Sequence, residues 1–319
     1  MTEPDRELHT REEAAAAANM EPEQIDRIWR AAGLPNAGPG VPYYSDFDVE
    51  NLRGFAVGVE LFGEEAVFRF TRVMGISLSR IADAAVTMAV ANLSGPMEQA
   101  GADEEMLEVA ATRAAAALDL VPSVMEGLFP HHVDIATRRL VLSRPQGALR
   151  TVSLAVAFLD LVGFTERSGG LTPEELAMAV ADFETLAGDV ITAHGARLVK
   201  MIGDEVMYVA TDAVVAAEIA LGLRDAIAGH TVLAGLRGGL VFGDVVTQDG
   251  DYYGPEVNLA ARIVACGAPG QILASGAVAD ALAAQATLTT RAEGERTVRG
   301  FEHPIAVFAV ERSSGGREL

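Results

Sequence analysis

Asp160 closes the apolar run from Val152 to Leu159, which predicts a buried strand, and Gly163-Phe164-Thr165 follow it before a helix. Asp204 stands between two short β-rich runs, Leu198 to Ile202 and Glu205 to Val209, broken at Gly203-Asp204. That pattern predicts a hairpin with a carboxylate at its bend. Two carboxylates at the ends of neighbouring strands can hold a pair of divalent cations about 4 Å apart, an arrangement that supports in-line displacement at phosphorus. The chemistry these two residues point to is phosphoryl transfer.

The elements that must position them are strands and helices in alternation from Val152 onward. Thr172-Pro-Glu-Glu175 supplies an N-cap, a proline for the first helical position and a glutamate for the third, opening a helix to about His194. The hairpin around Asp204 follows, then an alanine-rich helix from Asp212 to Ala228, a strand from Leu236 to Thr247, a helix from Pro255 to Cys266 and a strand from Gln271 to Ala274. The segment from Arg299 to Val310 reads as a final pair of strands. The order β-α-β-β-α-β predicts a ferredoxin-like, palm-type sheet with additions at its C-terminal end.

Ahead of this region the pattern is helical. Thr10-Arg-Glu-Glu13 is a capping box opening a short alanine-rich helix, and Pro22 suits the first turn of a second, carrying Ile25, Ile28 and Trp29. These two helices resemble a MerR-type helix-turn-helix, but Glu21, Glu23 and Asp26 crowd the start of the would-be recognition helix, which repels phosphate. Asp46 to Phe62 places Leu52, Phe55, Val59 and Phe62 on one face, and Ile76 to Leu93 has a comparable stripe, suited to core or subunit contact. The expected organisation is α+β: an all-helical regulatory domain over 1–142, a linker over 143–151 around Ser143-Arg-Pro-Gln-Gly147, and a catalytic domain over 152–319.

Composition bounds the partners. The chain has 319 residues, half of them apolar, and a formal net charge of -21, which excludes a general binder of nucleic acid or anionic membrane. No basic stretch leads into an apolar one at the N-terminus, and the apolar runs are interrupted before the roughly 18 residues of a membrane span. Cys266 is the only cysteine, which fits a reducing cytoplasm. Lys200 is the only lysine among 24 basic residues, so chemistry that needs a compact point charge rather than a forked guanidinium falls to it. His131 and His132, two of six histidines, adjoin the expected linker. The plain reading is a surface pair; the sharper one is a pH-dependent switch, because adjacent imidazoles gain charge near neutral pH.

Three motifs together resemble the class III nucleotidyl cyclases: Phe158-Leu-Asp-Leu-Val-Gly-Phe-Thr165, Lys200-Met-Ile-Gly-Asp204, and the run from Asp251 through Asn258 to Arg262. The likeness covers roughly Val152 to Glu311. It implies Asp160 and Asp204 as ligands of two divalent metal ions, Mg2+ or Mn2+, Lys200 and Asp251 as adenine-reading residues, and Asn258 and Arg262 as transition-state binders. It also implies a head-to-tail homodimer with two shared sites, and ATP as substrate. The residues themselves agree with those roles. Backbone N–H groups of Val162 to Thr165, Phe164 among them, open a helix and suit the β- and γ-phosphates. Adenine offers an acceptor at N1 beside a donor at N6, which Lys200 and Asp251 complement, and guanine reverses the order. Asn258 and Arg262, four apart, share one helix face.

The expected activity is therefore that of a cytoplasmic adenylyl cyclase, forming 3′,5′-cyclic AMP and pyrophosphate, with an N-terminal helical regulator like those of soluble actinobacterial cyclases. A cyclase of relaxed specificity that also takes GTP, a guanylyl cyclase, and a transcriptional regulator that senses nucleotide are the alternatives left open by the sequence.

Overall fold

The computed structural model describes residues 8–95, 101, 103–142, 151–164, 169–230, 233 and 235–313. Thr165 and the expected linker from Ser143 to Gly147 lie outside the described residues. The chain divides into two compact units, Met1–Val133 and Asp134–Leu319.

The first unit is built from α1 (Arg11–Ala18), α2 (Pro22–Ala31), α3 (Asp46–Phe62), α4 (Glu64–Ala89) with a π-helical continuation over Val90–Ser94, α5 (Glu104–Leu118) and the first part of α6 (Val121–Leu142), which runs on into the second unit. Both halves of the Thr10/Glu13 capping box are present: the Thr10 side chain accepts from the Glu13 N–H, and the Glu13 carboxylate accepts from the Thr10 N–H. Ile25, Trp29, Tyr44, Leu52 and Phe68 form a small core. Gly75 lets α4 approach α2 closely, because a Cβ there would lie 2.2 Å from the Ala32 carbonyl oxygen.

The stripe expected over 76–93 thus belongs to a longer helix, which begins directly after Gly63. Contrary to the sequence reading, one helix, Glu64–Asn92, is long and apolar enough to cross a membrane by length and composition. It nevertheless carries Arg69, Arg72, Arg80 and Asp83, and buries Phe68, Thr71 and Gly75 within the unit.

The second unit is organised on a sheet of β1 (Thr151–Leu161), β2 (Arg197–Ile202), β3 (Glu205–Ala210), β4 (Leu236–Gln248), β5 (Asp251–Tyr253), β6 (Ile272–Ser275), β7 (Leu288–Arg296) and β8 (Ile305–Arg312). The strand order is β2-β3-β1-β4-β6-β8-β7, with β5 paired to β4. The first four of these, connected through α7 (Pro173–Ala193) and α8 (Ala213–Ala228), make the ferredoxin-like arrangement read from the sequence. One face of the sheet packs on Phe183, Ala187 and Ile191 of α7 and on Ile219, Leu221 and Leu223 of α8. The other packs on Ala260, Ile263 and Val264 of α9 (Pro255–Cys266). A short helix, α10 (Gly276–Leu282), follows β6.

The C-terminal strands differ from expectation. The segment from Arg299 to Val310 holds one strand, β8, rather than two, and its partner β7 lies upstream. Leu288 is the one buried residue of β7, so the polar run that follows it gave no apolar alternation to read.

Candidate active site

Asp160 sits where three strands meet. On β1 it is registered against Glu205 of β3 on one side and Arg237 of β4 on the other, so an acid, an acid and a base form one row across the sheet. The side chains of such a row project from the same face, and two residues along it Gly239 faces α9. Nε and Nη2 of Arg237 both donate to Oδ2 of Asp160, at 2.8 and 2.6 Å.

Asp204 occupies the bend between β2 and β3, after Gly203 at a φ of 65° that favours glycine. Its carbonyl accepts the Leu161 N–H at 3.0 Å, tying the bend to the end of β1. The structure therefore brings Asp160 and Asp204 together. It adds a third carboxyl that the sequence reading missed: burial, then the charges of Asp160 and Asp204, push Glu205 up to about 7, with Arg237 opposing the rise. Glu205 directly follows Asp204, but its pairing with Asp160, like that of Arg237, emerges only from strand register.

Past β1, the Val162 N–H donates to the Gly235 carbonyl at 3.0 Å. It is not free for a phosphate, which corrects the expectation that it shares in phosphate binding. Gly163, at φ 68°, and Phe164, partly buried against the α7/α8 core, continue the turn.

Lys200 and Asp251 are brought together as well: Nζ donates to Oδ2 at 2.6 Å. The other carboxylate oxygen, Oδ1, accepts the Tyr252 N–H at 2.8 Å, which fixes the plane of the group. Asn258 and Arg262 lie on the exposed side of α9, opposite buried Ala260, Ile263 and Val264, with no side-chain hydrogen bond among the described residues. α9 can lie this close to the sheet because β4 carries Gly239, where a Cβ would fall 2.5 Å from the Ala260 carbonyl oxygen. His131 and His132 are exposed on α6, directly ahead of the boundary between the two units.

The donor chemistry fits hard divalent cations. Asp160 and Asp204 both place charge near Glu205, whose carboxyl is forced towards its protonated form, and Asp160 already attracts a cationic partner in Arg237. Among the described residues no three His, Cys, Asp or Glu side chains form a fuller ligand set.

The sequence of this second unit decides the family. Residues 148–312 match the model of the adenylate and guanylate cyclase catalytic domain. The chain belongs to this family. An uncharacterized protein of Mycobacterium tuberculosis is 34% identical over 315 residues, spanning 98% of this cyclase-family chain and 81% of its own length. An adenylate cyclase of Streptomyces coelicolor is 34% identical over 275 residues, spanning 85% and 70%. Among solved structures, the adenylyl cyclase CyaB from P. aeruginosa is 26% identical with a TM-score of 0.48, covering 53% of this chain and 98% of that one.

Proposed function

We propose that this chain is an adenylyl cyclase, converting ATP to 3′,5′-cyclic AMP and pyrophosphate at two composite sites of a homodimer. The observation that carries the reading is the Lys200–Asp251 pair, an ammonium and a carboxylate side by side at 2.6 Å. Lys200 would donate to N1 of adenine and Asp251 accept from N6, whereas guanine presents donor and acceptor in the opposite order. The relatedness to adenylate cyclases of actinobacteria supports the same choice.

Asp160 and Asp204 would hold two divalent ions, Mg2+ or Mn2+, which when bound polarise the α-phosphate and acidify the ribose 3′-hydroxyl. The N–H groups of Gly163, Phe164 and Thr165 receive the terminal phosphates. Asn258 orients the ribose and Arg262 neutralises charge that builds on the α-phosphate, both in the transition state more than before it. The 3′-oxygen forms a bond to the α-phosphorus, the bond to the bridging oxygen breaks, and pyrophosphate leaves. Each site takes its acids from one copy and Lys200, Asp251, Asn258 and Arg262 from the other, which makes the dimer obligatory.

The helical domain regulates this dimer, and His131 and His132, just ahead of the chain boundary between the two units, make that regulation pH-dependent. The free thiol of Cys266 fits a cytoplasmic setting.

The test is product formation by the full chain from ATP and from GTP, with Mg2+ or Mn2+. Cyclic AMP and pyrophosphate in equal amounts, with ATP strongly preferred, are expected. Equal use of both nucleotides, or preference for GTP, contradicts the assignment.

A further inference from the structure

Asp251 belongs to β5, and among the described residues β5 pairs only with the end of β4. Lys200 belongs to β2, the far edge of the sheet, with β3 and β1 lying between it and β4. No backbone ladder joins the two residues that face each other, so side chains must keep the β4–β5 hairpin at β2. One of these contacts is the Lys200–Asp251 bond itself. A base read by both residues replaces that bond with two separate ones.

A second contact is Arg197, beside Arg139, which also hydrogen-bonds the Tyr252 side chain. Nη2 of Arg197 donates to the Gly250 carbonyl at 2.6 Å and its Nη1 to the Tyr252 hydroxyl at 3.4 Å, while the guanidinium carbon lies 5.5 Å from the centre of the Tyr252 ring. Gly250 is in the hairpin turn, where Asp249 and Gly250 have φ of 53° and 81°, and Tyr252 is buried. Arg197 thus grips the residues on either side of Asp251.

Local strand geometry makes this possible. Arg197 and Lys200 are three apart, and a regular strand would send them to opposite faces. Leu198 is registered against Tyr208 and Lys200 against Met207, leaving Val199 as an extra residue. The bulge restores Arg197, opposite Val209, and Lys200, opposite Met207, to one face.

We infer that Arg197 is a positioning residue for base selection, fixing Asp251 relative to Lys200 while a purine lies between them. The inference rests on the proposed role of Lys200 and Asp251, and the test separates the two. kcat and KM for ATP and GTP are measured on the full chain with Arg197→Met, Arg197→Lys, Tyr252→Phe and Asp251→Ala.

Arg197→Met is expected to raise the ATP KM about tenfold, to change kcat less than threefold, and to compress the ATP:GTP ratio of kcat/KM about tenfold. Arg197→Lys, which keeps one donor, and Tyr252→Phe, which loses only the hydroxyl, are expected to compress the ratio less. If Asp251→Ala compresses the ratio and the Arg197 variants do not, Arg197 has no such role and the reading of Lys200 and Asp251 stands. If Asp251→Ala leaves the ratio unchanged, that reading fails and this one with it. Should Arg197→Met not fold, an unchanged ratio in both Arg197→Lys and Tyr252→Phe overturns the inference.

Discussion

Arg237 directs two donors, Nε and Nη2, at a single oxygen of Asp160, Oδ2, at 2.8 and 2.6 Å. With Asp204 and Glu205 beside it, Asp160 would otherwise carry its charge among other acids in a partly buried site. Arg237→Gln is expected to destabilise the metal-free protein by about 2 kcal/mol. Millimolar Mg2+ is expected to recover part of the lost thermal midpoint, because a divalent ion supplies the missing positive charge. Thermal unfolding with and without Mg2+ checks both.

Glu205 gives a pH dependence of defined sign. Its carboxyl is raised from an ordinary 4.5 to about 7 in the folded chain. The folded state therefore holds a proton that the unfolded state has released, and Glu205's contribution is lost as pH rises from about 4.5 through about 7. Without divalent ions, the thermal midpoint of Glu205→Gln is expected to fall less between pH 5 and pH 8 than that of the parent. Parallel slopes would show that Glu205 is not the group responsible.

Gly239 sets the distance between the sheet and α9. A Cβ there would lie 2.5 Å from the Ala260 carbonyl oxygen and 2.7 Å from the Val264 nitrogen, both backbone atoms. Gly239→Ala must push α9 outward, at a cost of about 1–3 kcal/mol, and displace Asn258 and Arg262. Cyclase activity is expected to fall at temperatures where circular dichroism still reports a folded protein. A variant with parent kcat would mean that α9 does not need this approach.

The Lys200–Asp251 pair predicts a specificity change. Lys200→Glu with Asp251→Cys is expected to lower kcat/KM for ATP by roughly two orders of magnitude while GTP loses less, since the donor and acceptor for adenine are both removed. Paired assays with the two nucleotides give the ratio directly.

Replacing His131 and His132 by alanine is expected to flatten the activity–pH profile without lowering its maximum. A profile that overlays the parent's removes these histidines from regulation.

Much of the second unit was legible because its signals are local. Thr172 and Glu175 cap a helix by side-chain reach over three residues, and the apolar run ahead of Asp160, Val152 to Leu159, is short enough to favour a buried strand over a helix. The Lys200/Asp251 and Asn258/Arg262 constellations were found through motif resemblance, and the structure then brought Lys200 and Asp251 into contact.

Register was not legible. The partnership of Asp160 with Arg237, 77 residues away, depends on how β1 and β4 align, and the Arg197 grip depends on a one-residue bulge at Val199. In the helical unit, the segment Asp46 to Phe62 was read with the bounds of α3, but α4 begins at Glu64, directly after Gly63, well ahead of the stripe read from Ile76. Pro130 lies inside α6, where a proline ordinarily argues for a break.

The decisive measurement is cyclic AMP formation by an equimolar mixture of Asp160→Ala and Arg262→Ala chains, each inactive alone. Random pairing makes half of the dimers mixed, each with one intact site, so about one quarter of the parent activity is expected on mixing. No recovery, in a mixture shown by native mass spectrometry to contain mixed dimers, would contradict a site shared between two copies.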